Sequence, residues 1–361
     1  MSRNIDKANQ TIFENIKLGY ICSKDYTDDS NLDNCRYLAG TPEEKQWLIH
    51  FQINPDTLLN FWNENTFLIG EYSNKKYLIT IGMNEFSILP DGFTNIPLNA
   101  GSFLAIVSDL NLMVKSEYPP LKIFNEVLSQ HCGISDYTGH DFNELKRLFP
   151  AIYLYQIDEN IYGGDINSIE QMSCIFLTYN REYLRLPYNE ETLICFRTLL
   201  YLNYKDLRYE NIFQALTATN FKYSFLDIYR LIEMLYQLCY MIDIEKRITG
   251  VDKFLLLETI DSSLSWKPNE RNTLLKIFNS ISVSKRPIIT KKLPNIIKRT
   301  TNQTIANNDA LWSWIYDLRC NIVHLKTYHS NIKISNRDWD LIIHGLLEVI
   351  IAAYELYVSI R

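Results

Sequence analysis

Residues 225–239, FLDIYRLIEMLYQLC, place Phe225, Ile228, Tyr229, Ile232, Leu235, Tyr236 and Cys239 at helical spacing. The positions repeat every three to four residues and make one apolar stripe. The stretch reads as an amphipathic helix with one buried face. The same period continues downstream. It predicts shorter helices over 252–264 and 268–281. Another helix starts near Asn308, a good N-cap, with Leu311, Ile315, Leu318 and Ile322 on one face. A last helix, about 337–360, carries Ile342, Leu346, Val349, Ile350, Ala353, Tyr357 and Ile360. Residues 222–361 are therefore expected to be an all-α bundle, and 186–221 a helical connector.

Upstream of the connector the pattern differs. Residues 1–60 read as mostly helical. Thr41-Pro42-Glu43-Glu44 has the signs of a helix start: a capping box, with proline at the first helical position. Thr66–Tyr72 and Tyr77–Met83 are rich in β-formers, and Ser73-Asn74-Lys75-Lys76 is turn-like, so a hairpin is expected. Further strands are expected at Glu85–Leu89, Phe103–Val107, Ile152–Ile157 and Cys174–Thr178, with a turn at Gly163-Gly164-Asp165. Residues 1–185 read as a mixed α/β domain with a sheet, a possible sensor or partner-binding part. The fold class is α+β.

Length and composition agree with two or three packed domains. The chain has 361 residues, 47% of them apolar, with 24 Tyr and 17 Phe. That is enough to bury sizeable cores and excludes a disordered chain. The seven cysteines include no C-x-x-C pair, so neither a disulfide framework nor a zinc site is expected. The N-terminal residues show no apolar leader, and His344, Glu348 and Glu355 interrupt the most apolar stretch. No membrane partner and a cytoplasmic location are expected.

Net charge is −6, but it is unevenly spread. Residues 266–361 hold 14 Lys+Arg against 7 Asp+Glu, a balance of +7; the rest holds 22 against 35, a balance of −13. A basic end on an acidic body points to a polyanionic ligand at that end. Within it, 285–299 reads KRPIITKKLPNIIKR, six basic residues and no acid, with two prolines that oppose a continuous helix. Lys285, Arg286, Lys291, Lys292, Lys298 and Arg299 are the expected RNA contacts, with Lys326 as a further one.

The chemistry-bearing segment is Asp317-Leu318-Arg319-Cys320-Asn321-Ile322-Val323-His324-Leu325-Lys326, between the last two predicted helices. A second Arg/His spacing, Arg337 and His344, falls inside the last helix and reads as a decoy. L-R-x-N-I-V-H at the end of a penultimate helix resembles the hallmark of HEPN domains, an Arg separated from a His by four to six residues. The resemblance covers roughly 222–361 and includes a long first helix with an acidic residue, here Glu233. It is most similar to bacterial abortive-infection HEPN proteins of the ApeA type. One departure is that Cys320, not a polar residue, follows Arg319.

The resemblance implies a homodimeric, metal-independent endoribonuclease acting as a toxin or anti-phage effector. An inhibitor, antitoxin or phage-derived trigger is the implied further partner. Arg319 and His324 are the implied catalytic pair, supported by Asn321 and Glu233, with no metal and no cofactor. The residue types suit the reaction. Histidine titrates near neutral pH and moves protons. Arginine stays charged and presents a planar fork of donors to phosphate oxygens. On an ideal helix the two lie about 140° apart, so they converge only if the helix ends between them. A two-fold dimer would gather two such pairs around one cleft. The competing reading is a non-catalytic HEPN-like RNA- or nucleotide-binding or interaction module. There Arg319 and His324 only complement the end of a helix.

Overall fold

The computed structural model describes residues 3–21, 36–129, 136–158, 168–202, 204, 207–245, 247, 250, 252–264, 268–301, 304–305, 307–324 and 333–357. The protein is α+β. Its contacts divide it into two compact units, Met1–Ile169 and Glu170–Arg361.

The first unit carries helices α1 (Ile5–Ile21), α2 (Pro42–His50), α3 (Ala100–Asp109), α4 (Pro120–Ile123) and α5 (Phe142–Lys146). Its strands are β1 (Gln52–Asn60), β2 (Thr66–Tyr72), β3 (Lys75–Ile81), β4 (Phe93–Ile96) and β5 (Ile152–Ile157). They form one antiparallel sheet in the order β1-β2-β3-β5-β4. The β2–β3 turn needs only Ser73 and Asn74, at φ 51° and 61°, so Lys75 and Lys76 already belong to β3. Two left-handed residues match the natural twist of a hairpin. The capping box of α2 is present: the Thr41 hydroxyl accepts from the Glu44 amide, and Glu44 accepts from the Thr41 amide. Helices α2 and α3 pack closely because Gly101 has no side chain. A Cβ there would lie 1.7 Å from the Glu44 carbonyl oxygen.

Three expected strands are not strands. Phe103–Val107 lies in α3, capped by Asn99, and Cys174–Thr178 lies in a helix. Both are short apolar runs buried all round, which carry no period to separate helix from strand. Glu85–Leu89 is irregular. Two strands went unpredicted. Strand β1 contains Asn54-Pro55-Asp56 and is interrupted by a bulge between Asn54 and Leu59; proline is tolerated there because β1 is an edge. Strand β4 has only four residues. The expected turn at 163–165 lies outside the described residues.

The second unit is helical: α6 (Ile169–Tyr179), α7 (Glu190–Tyr201), α8 (Tyr209–Thr217), α9 (Phe221–Glu233), α10 (Leu238–Glu245), α11 (Lys253–Leu264), α12 (Glu270–Ser280), α13 (Pro287–Lys291), α14 (Leu293–Thr301), α15 (Asn308–Val323) and α16 (Asn336–Tyr357). Helix α16 runs through its middle, against α7, α9 and α13. Ile342, Ile343, Leu346, Val349, Ile350 and Ala353 are all buried. The expected connector is therefore part of this bundle: α7 lies on α16 and α8 on α9. The Asn189 amide and side chain both donate to the buried Asp340 of α16.

Two predicted features are corrected. The single helix over 225–239 stops at Glu233 and restarts at Leu238. Leu235 and Tyr236 bond three residues back rather than four, a tightened turn. The basic stretch 285–299 is not a helix-free break. Pro287 and Pro294 sit in the first turns of α13 and α14, where a missing N–H costs no hydrogen bond. Gly345 lets α13 lie against α16, since a Cβ there would come within 2.4 Å of Ile289. Among the described residues no helix is long and apolar enough to cross a membrane.

Candidate functional site

Three helix ends build the site. Asn307, not the expected Asn308, caps α15 by accepting from the Ala310 amide. Leu311, Ile315 and Leu318, with Trp312, bury one side of that helix and so fix its rotation. Arg319 stands just before its last turn, which runs to Val323. Asn220 caps α9, whose last residue is Glu233, and Asn269 caps α12, whose first residue is Glu270.

These positions converge. Arg319 donates from Nε and Nη2 to Glu233 Oε1, at 3.1 and 2.8 Å. Its Nη1 lies 3.9 Å from Glu270 Oε2. The guanidinium carbon is 6.0 Å from the centre of the Tyr229 ring. The Tyr229 hydroxyl lies 2.8 Å from that of Tyr236, and burial pushes both phenols well above their ordinary value. Burial disfavours the Arg319 charge, but Glu233 and Glu270 more than offset it and raise the guanidinium above its usual value. Arg319 is charged at every working pH and fixed in direction. The Tyr316 hydroxyl donates to Glu270, and Arg271 pairs with Asp317, so the rim of the site is also polar.

His324 ends the helix. Its φ and ψ are −108° and 103°, extended rather than helical, and its amide still closes the last turn on Cys320. The side chain is exposed, and among the described residues it has no hydrogen-bond or ion-pair partner. Asn321 is half-buried on the final turn, and among the described residues its side-chain amide has no hydrogen-bond partner. The helix thus ends at Val323, between Arg319 and His324, and among the described residues no hydrogen bond joins the two side chains.

The basic run divides. Lys285 pairs with Glu355 at 2.6 Å, and Arg299 pairs with Asp338. Lys291, Lys292 and Lys298 are exposed. Arg286 must be removed from the expected RNA contacts: it is 3% exposed, and its guanidinium lies 5.4 Å over the Trp312 ring. Lys326 lies outside the described residues. The second Arg/His spacing is split by the fold. Arg337 is exposed, whereas His344 is buried with its Nε2 3.8 Å from Glu348.

Three contributors were not anticipated. Glu270 was legible only as the first acidic residue after the Asn269 cap. Tyr229 and Tyr236 stood simply as members of the apolar stripe. Among the described residues no three His, Cys, Asp or Glu side chains gather as they would around a metal ion. Comparison of the chain with models of protein families, with curated proteins and with solved structures finds no match.

Proposed function

We propose that the helical unit is a metal-independent endoribonuclease of the HEPN type, a homodimer with one composite Arg/His cleft. One observation carries the reading. Arg319 is held charged and aimed by a carboxylate from the first long helix of the expected domain, one turn before an exposed histidine that closes the helix. Free imidazole, fixed guanidinium and an open helix end are what phosphodiester cleavage needs.

In this reading His324 of one subunit takes the proton from a ribose 2′-hydroxyl. The 2′-oxygen bonds to phosphorus, and the bond to the 5′-oxygen breaks. Arg319 from each subunit stabilises the crowded phosphate. The second His324 protonates the departing 5′-oxygen. The products carry a 2′,3′-cyclic phosphate and a 5′-hydroxyl. Met234 and Val323, 37% and 47% exposed, adjoin Glu233 and His324 in the chain and supply apolar surface for a two-fold partner. The role as a toxin or anti-phage effector follows from the family resemblance. The first unit then serves as the part that meets an inhibitor, antitoxin or phage-derived trigger in the cytoplasm.

One observation favours the second reading, a non-catalytic binding module. Glu233 and Glu270 compensate the charge of Arg319 within the fold. The two separate in one assay. Purified protein is incubated with total RNA in excess chelator, and the new ends are analysed. Cyclic phosphate ends support the nuclease; bound but intact RNA supports the module.

A further inference from the structure

The basic run and the discarded Arg/His spacing meet at a place that neither predicted. Lys292, just before α14, and Asn295 and Arg299 within it lie three and four residues apart, towards one side of that helix. They face the first turn of α16, where Ser335, Arg337 and Asp338 form the other wall of a cleft of about 420 Å3. Among the described residues Asp338 is the one acid of that lining, and it is already engaged by Arg299 and by the Ser335 hydroxyl. The Arg299–Asp338 pair ties α14 to α16 and fixes the cleft's width. Lys292 and Arg337 are exposed and, among the described residues, have no ion-pair partner. The site is thus open, rich in donors and positive, with its own carboxylate neutralised.

We propose that this cleft between α14 and the start of α16 is a phosphate subsite that holds the backbone of single-stranded RNA. The inference takes its ligand class from the ribonuclease reading. A strand can cross an open trough lined with donors along a helix, and phosphate contacts of this kind add affinity without reading bases.

The test uses the full-length protein and a fluorescent 2′-O-methyl RNA oligonucleotide, which lacks the attacking hydroxyl and cannot be cut. R337E and K292E should each weaken binding about tenfold and lower the salt slope by roughly 0.7, the value for one single-strand phosphate contact. R337E places an anion at a helix start, which favours the helix, so folding is preserved. K222E is the control: it makes the same charge change at an exposed lysine of the same unit, on α9 and outside the cleft. Equal weakening by K222E would overturn the subsite in favour of a general field, and parental binding by R337E and K292E would overturn it outright. Inorganic pyrophosphate or AMP that displaces the oligonucleotide at micromolar concentration would also overturn it, in favour of a small-molecule site. H324A separates the two claims. It should bind the oligonucleotide like the parent, and if it still cuts ordinary RNA, the nuclease reading fails while the subsite stands.

Discussion

The chain pairs an arginine with a histidine at similar spacing twice, and the fold treats the two pairs in opposite ways. Arg319 and His324 straddle the last turn of α15, and the histidine emerges into solvent on extended backbone. Arg337 and His344 both lie within α16, and the histidine turns into the bundle. Burial pulls the His344 imidazole below its usual range and Lys292 adds to that, while Asp340 and Glu191 oppose it. A short motif therefore specifies chemistry only through where its helix stops. A histidine at a helix end can reach a substrate; the same residue mid-helix is packing.

Five substitutions test that contrast, the largest effect first. R319A and H324A should each lower RNA cleavage about a thousandfold, the scale of losing a general acid–base or its charge partner, measured by initial rates on a labelled RNA. Activity retained in either would erase the distinction between the pairs.

E233A should leave Arg319, whose side chain is 19% exposed, with only the more distant Glu270. We expect a loss of about 1–3 kcal/mol in urea unfolding, the cost of removing one partner from a largely enclosed ion pair, together with slower cleavage. A fully stable, fully active E233A would show that the carboxylate does not aim the arginine.

E348Q sharpens the other half of the contrast. Burial pushes the Glu348 carboxyl up to about 7, against the Ile288 amide and Lys292, which lower it. The folded chain then keeps a proton that the unfolded chain releases near 4.5. Stability from this group is full at low pH and fades as pH rises from about 4.5 to about 7. Glutamine can still accept from Ile288 and has nothing to ionise, so E348Q should be more stable than the parent at pH 8, on the order of 2 kcal/mol. Parallel pH–stability curves for the two proteins would refute the shift. The smallest effect belongs to H344Q, whose cleavage rate per folded molecule should stay within about twofold of the parent, as expected for a group outside the site.

Legibility in the sequence followed the same physics. Long amphipathic stripes such as 308–323 and 336–357 were readable because one face repeats. The Thr41–Glu44 cap and the Ser73-Asn74 turn were readable because their chemistry is local. Phe103–Val107 and Cys174–Thr178 were not, because a run buried on every side has no period. Prolines 287 and 294 marked the breaks in a continuous helix but not that a short helix starts at each, because a proline's effect depends on which turn it occupies. At the candidate site, Arg319, His324 and Glu233 could be named in advance. That Glu270 also approaches Arg319, and that Arg286 is buried against Trp312, depended on tertiary packing that leaves no trace in spacing.

The most direct test of the composite cleft mixes an active and an inactive chain. A parental chain and an R319A/H324A double variant are co-expressed with different tags, and the heterodimer is isolated and assayed on RNA. The cleft then holds one Arg319 and one His324 instead of two of each, and the account predicts cleavage far below half that of the parental dimer. A heterodimer that keeps about half the parental activity would contradict a site shared between subunits.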